Sequence, residues 1–304
     1  MSKIIIGIHG LRNKPPQRTL KRWWKKSIRE GLKAVGCHRW FFRFELVYWA
    51  PLLHPKPLNP RIKTKDHPLH LRSPYRPSKH LEEKKPRRLQ KAVLDVLEKQ
   101  MDKIFLNDDL SINFDVLTDR IIRRYFEDLD TYYSKTILDQ QKNEFLAKDL
   151  IRVELAKALY KHRRKRILLI AHSMGSIIAY DVLTHTVPDI EIDTLVTIGS
   201  PLGIPIIIRK ILLEQSDPSL AKNPRTPDNI IGAWYNFSDP EDRAALDHTL
   251  ADDYQKNSRG VQAVDKVVYN DYENDGERNP HNSYGYLRIP EIANVIHNFF
   301  TKSL

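Results

Sequence analysis

The segment Ile167-Leu168-Leu169-Ile170-Ala171-His172-Ser173-Met174-Gly175-Ser176-Ile177-Ile178 passes from an unbroken apolar run into a helical pattern, with a serine at the junction. A serine hydroxyl is a weak nucleophile on its own. It attacks carbonyls when a base removes its proton, a carboxylate orients that base, and backbone amides receive the oxyanion. The spacing Ala171-x-Ser173-x-Gly175 fits a sharp strand-to-helix turn, where bulk two residues either side of the serine would not be tolerated. Such a turn lifts the hydroxyl to the sheet edge, over the positive end of the helix. The Met174 amide then points to where an oxyanion would form. A serine beside a glycine can also simply cap a helix, but the strand before and the helix after give Ser173 the context a nucleophile needs.

The partners must come from other segments. Ile4-Ile5-Ile6-Gly7-Ile8-His9-Gly10-Leu11 reads as a strand ending in His-Gly. Gly10 lets that loop pass close to a substrate, and the Leu11 amide is the second candidate oxyanion donor. His9, at the strand end, reads as a loop-shaping residue rather than a base. A carboxylate is expected after a later strand, and Trp234-Tyr235-Asn236-Phe237-Ser238-Asp239-Pro240-Glu241-Asp242 offers two. Asp242, deeper in the loop, is favoured. Asp239 is the alternative acid, although beside Pro240 it could instead hold the turn. The base is expected in the final loop, Asn279-Pro280-His281-Asn282-Ser283, which makes His281 the candidate over His248 and His297.

Taken together, His9-Gly10-Leu11, Ala171-His172-Ser173-Met174-Gly175, the Asp239/Asp242 loop and His281 resemble the α/β-hydrolase superfamily, and within it the lipase- and esterase-like serine hydrolases. The order serine, acid, histidine is that of its triad. The resemblance covers residues 1–50 and 145–304, with Ala171 in place of the usual first glycine. It implies hydrolysis of a small-molecule or lipid ester through an acyl-enzyme, with no cofactor. A hydrolase fold retained as a silent binding module, or an acyltransferase or thioesterase using the same three residues, are the alternatives.

The elements needed to position these residues are legible. Strands are expected at Lys3–Ile8, Phe42–Trp49, Arg166–Ala171, Thr194–Ile198, Ile230–Phe237 and Lys266–Tyr269. Most are continuously apolar, as in a parallel sheet covered on both faces. Helical periodicity lies between them, over Thr19–Val35, Phe145–His162, Gly175–Leu183 and Ile206–Leu213, and again over Ile289–Phe300. The expected fold is therefore α/β, a mostly parallel sheet of about six strands flanked by helices. Residues 51–144 interrupt the alternation. They read as a cap-like insertion, first basic and proline-rich, then helical from Leu81 to Ser134, with no convincing strand.

Composition bounds the rest. The 304 residues carry a net charge of +12. Residues 1–90 hold 23 Lys and Arg against 5 Asp and Glu, so the remainder is mildly acidic. The helix from Arg18 to Lys33 presents Arg18, Lys21, Arg22, Lys25, Lys26 and Arg29 around an apolar stripe, a pattern compatible with an anionic membrane surface. Nothing in the chain carries a nucleic-acid-binding signature. His54, His67, His70 and His80 lack metal-ligand spacing. The lone Cys37 excludes an internal disulfide. With no apolar run of spanning length and no signal-peptide pattern, the expected setting is cytoplasmic.

Overall fold

The computed structural model describes residues 1–39, 41–78, 130–138, 143–214, 223–243, 245 and 247–302. Six parallel strands form the central sheet: β1 (Lys3–Ile8), β2 (Phe44–Val47), β5 (Arg166–His172), β6 (Ile192–Ile198), β7 (Ile230–Ser238) and β8 (Ala263–Val267). Their order is β2-β1-β5-β6-β7-β8. β1 is flanked by β2 and β5, with Ile8 level with Val47 on one side and Ala171 on the other. The chain thus steps outward from β1 to β2 and returns across the sheet to β5. The carboxyl ends of β1 and β5 flank this reversal, where open parallel sheets form their ligand crevice.

Side chains alternate across each strand, so β1 and β5 feed two cores. Ile4, Ile6, Ile8, Ile167, Leu169 and Ala171 pack toward α2 (Ala147–His162), α3 (Met174–Asp181) and α4 (Pro205–Glu214). Ile5, Leu168 and Ile170 face α1 (Gln17–Ala34) and α6 (Pro290–Thr301), through Leu20, Trp24, Ile28, Ile292 and Ile296. Burial on both faces is what produces the continuous apolar strands. The α/β class and the six-stranded parallel sheet read from the sequence are the ones observed.

Three expectations need correction. The last strand is Ala263–Val267 rather than Lys266–Tyr269. It is an edge strand that pairs with β7 alone, and it exposes Val264 and Lys266. Its sequence therefore alternates, and the apolar run Val267-Val268-Tyr269 lies mostly beyond it. β2 is shorter than Phe42–Trp49. The stretch before α2 does contain strands: β3 (Thr136–Leu138) and β4 (Glu144–Leu146) form a small antiparallel pair.

Much of the helical reading over Leu81–Ser134 lies outside the described residues. Residues 51–78 form a strap. It leaves the end of β2, bonds to the loop before α1 (Leu58 N–H to the Lys14 carbonyl, 2.9 Å), and reaches the far side of the sheet. There Tyr272 Oη donates to the Pro74 carbonyl (2.5 Å), Arg288 to the Arg76 carbonyl (2.6 Å), and Tyr75 Oη to Glu30 on α1.

Candidate active site

Ser173 follows the last residue of β5 and precedes the first of α3. Its backbone sits at φ 55°, ψ −130°, a region that strains a residue with a side chain by about 1–3 kcal/mol. The surroundings fix it there. Its N–H donates to the Ile198 carbonyl of β6 (3.1 Å), and its carbonyl accepts from the Ser176 N–H (2.8 Å) and the Ser176 hydroxyl (2.6 Å). The need for glycine at 175 has a different origin from the one the spacing suggested. A Cβ there would lie 2.8 Å from the Ile8 carbonyl oxygen and 3.0 Å from that of His9, so β1 sets the limit. Gly10 is equally constrained: a Cβ would fall 2.6 Å from the Ser173 Cβ. The Leu11 loop therefore runs directly beside the serine.

Three side chains from three loops meet here. His281 Nε2 is 3.0 Å from Ser173 Oγ. On the other side of the ring, His281 Nδ1 is 2.8 and 3.0 Å from the two oxygens of Asp242. A carboxylate only accepts, so Nδ1 carries the proton, and the Nε2 lone pair faces the serine hydroxyl. Asp242 is fully buried, whereas a third of the His281 side chain is exposed. The carboxylate is thus shielded while the ring reaches solvent.

Asp239 does not touch His281. It accepts from the guanidinium of Arg278, the Asn270 N–H (2.6 Å) and the Glu241 N–H (2.9 Å). Burial pushes its carboxyl up to about 6 against those donors. Its partners matter for the histidine. Asn270 donates from Nδ2 to the carbonyls of Pro280 (2.7 Å) and Asn282 (2.8 Å), clamping His281 on both sides.

Two further residues complete the arrangement and carry no signal in the spacing. Tyr286, fully buried, donates to Asp242 Oδ2 (2.8 Å) and accepts from the Asp239 N–H (2.9 Å), tying the two ends of that loop together. His172 donates to the His281 carbonyl (2.8 Å), with its ring 4.8 Å from the His281 ring. Burial first, and then the neighbouring His281, hold His172 well below the ordinary histidine range. It stays neutral and does not repel a cation forming on His281. The Asn282 side chain, which caps the short helix α5 (Ser283–Tyr286), could have been read as a turn signal, but nothing local marks Tyr286.

His9 is buried, donates from Nδ1 to the Gly10 carbonyl (2.8 Å) and stacks on Trp49, with ring centroids 4.9 Å apart. Burial, with a smaller contribution from Lys14, pushes it down to about 3. It shapes the loop that carries Leu11. The competing histidines lie elsewhere: the His248 carbonyl accepts from Asn236 of β7, and His297 lies on α6. The apolar segment after β6 packs into the core, with Leu202 and Ile207 fully buried. Among the described residues, no group of three or more His, Cys, Asp or Glu is placed to hold a metal ion.

The arrangement can polarise the Ser173 hydroxyl, draw its proton to His281 and hold the resulting imidazolium against Asp242. Residues 106–218, which include β5, the serine turn and α3, match the family described as the PGAP1-like alpha/beta domain, a hydrolase-like alpha/beta fold. The match covers less than half of the chain. No curated protein matches it.

Proposed function

We propose that this chain is a serine hydrolase that cleaves carboxylic esters through an acyl-enzyme on Ser173. The observation that carries the reading is the hydrogen-bonded series Ser173–His281–Asp242, in which one imidazole reaches both an alcohol and a buried carboxylate. In the first step His281 Nε2 takes the hydroxyl proton as Ser173 Oγ bonds to the ester carbonyl carbon. The oxyanion forms against the amides of Met174 and Leu11. His281 then gives its proton to the leaving alkoxide, and the alcohol departs. In the second step water attacks the acyl-enzyme by the same route, releasing the acid and restoring Ser173. Asp242 holds the ring in the productive tautomer throughout. Electrostatic stabilisation by each oxyanion donor is worth about 3 kcal/mol.

The family match adds support, because the protein that names that family is a GPI inositol deacylase, which removes an acyl group. The test is turnover of p-nitrophenyl esters over a series of acyl lengths. Wild-type protein should release nitrophenol, and Ser173→Ala should lower the rate by at least about 10⁴-fold with the fold intact. An unchanged rate in Ser173→Ala would remove that residue from the mechanism. Folded protein without turnover on any chain length would favour a silent scaffold.

A further inference from the structure

The sheet has a second edge, opposite Ser173. In a parallel sheet, the residues that precede each strand gather there, together with the carboxyl ends of the helices. Around β2, β1 and β5, that edge gathers cations from four chain segments. Lys33 lies in the last turn of α1, and Arg39 and Arg43 lead into β2. Arg163, Arg164 and Lys165 lead into β5, and Lys302 follows α6. Contacts confirm that these segments meet. The Arg39 guanidinium lies 4.7 Å from the Phe300 ring centroid, and Lys3 donates to the carbonyls of Phe300 (3.0 Å) and Lys302 (2.7 Å). His162 Nε2 is 2.6 Å from Glu45 of β2, which brings the end of α2 alongside.

Amid this charge, Phe41 is 89% exposed, the most exposed of the large apolar residues described. Its neighbour Phe42 is buried beneath Lys25 and Arg29. Tyr160, half exposed, lies under the Arg163 guanidinium at 4.0 Å. An exposed phenyl ring set between Arg39 and Arg43 in the segment leading into β2 has no advantage in water, whereas at a bilayer interface the ring enters the acyl boundary and the cations meet anionic head groups.

We infer that this edge docks on an anionic lipid bilayer, with Phe41 as the inserted anchor and Arg39, Arg43, Arg163 and Arg164 as the electrostatic contacts. The surface differs from the α1 face that the sequence suggested, because the strap lies against part of that face. Lys26 stands over the Tyr75 ring and Glu30 accepts from Tyr75 Oη. β1 spans about 20 Å, so a docked molecule holds Ser173 about that far from the bilayer, facing water. The surface sets where the protein resides and does not draw substrate from that bilayer.

The test is cosedimentation with phosphatidylcholine vesicles, with and without 30% phosphatidylserine, over a range of salt. The expected result is binding only to the anionic vesicles, weakening as salt rises. Phe41→Ser should lower the partition coefficient about tenfold, and Arg163→Glu with Arg164→Glu at least as much, with unaltered thermal unfolding. Arg22→Glu, on the outer face of α1, should cost far less. Any of these outcomes would overturn the inference: equal binding to neutral vesicles, no binding to anionic ones, or Phe41→Ser binding like wild type. In that last case a duplex oligonucleotide retained equally by both proteins would mark the edge as a general polyanion site. A loss in Arg22→Glu equal to that of the arginine pair would move the surface to α1 and also overturn it.

Discussion

The serine half of the site and the acid–base half are built in different ways. Ser173, Met174, Gly175 and the Gly10–Leu11 loop are placed chiefly by backbone, with the Ser176 and His9 side chains in support: a turn between β5 and α3, and the end of the neighbouring strand pressed against it. Asp242 and His281 lie 39 residues apart on loops with little regular structure, held by side chains. Tyr286 links Asp242 to the Asp239 backbone, Asn270 clamps the carbonyls either side of His281, and Asp239 with Arg278 secures Asn270. A backbone-built half leaves its mark in residue size and spacing. A half built by side chains leaves it in contacts between distant residues.

If that contrast is right, substitutions in the two halves fail differently. The largest effect is expected from Asp242→Asn, which keeps the shape of the side chain but lets His281 take the wrong tautomer. Ester turnover should fall about 10⁴-fold with little change in unfolding temperature. Asp239→Asn should cost about tenfold or less in the same assay and show itself mainly as lost stability. A reversal of the two would exchange their roles. Next comes Gly10→Ala, a backbone lesion. Its methyl must displace either the Leu11 loop or Ser173, and misplacement of that order costs about 10²-fold. The loss should appear in kcat rather than KM, and a purely structural glycine would leave kcat near wild type.

Tyr286→Phe probes the side-chain half. Losing one hydrogen bond to a charged group is worth about 1.5–3 kcal/mol, so turnover should fall by about ten- to a hundredfold. The smallest effect concerns acid stability. His9 sits at about 3 when folded and near 6.5 when unfolded, so the unfolded chain binds the extra proton as pH falls through that window. Stability is full above about pH 6.5 and is lost below it, by about 2 kcal/mol between pH 7 and pH 5 for this one residue. Denaturant unfolding at the two pH values measures it. His9→Gln should show a shallower slope, with His172, depressed in the same direction, supplying the remainder.

The same contrast accounts for what the amino-acid sequence disclosed. β1, β5 and β6 are buried on both faces and read as apolar runs, whereas β8 pairs on one side only and was misplaced by three residues at its start. The turn at Ser173 was legible because an apolar run passes directly into a helical pattern there, with small residues at 171 and 175. That Gly175 answers to Ile8 and His9 rather than to Ala171 could be known only from the pairing of β1 with β5. Asp239 and Asp242 were both open candidates, since either could follow β7. Separating them required the Asn270 and Arg278 contacts, which join residues about 30 and 40 positions apart. Tyr286 and His172 had no local signature, because each is defined by the atom it touches.

The most direct measurement is active-site labelling of the folded protein with a fluorophosphonate, followed by peptide mass mapping. The account predicts a single stoichiometric adduct on Ser173, absent in Ser173→Ala and formed much more slowly in Asp242→Asn. No adduct on folded protein, or an adduct on another serine that persists in Ser173→Ala, would contradict it.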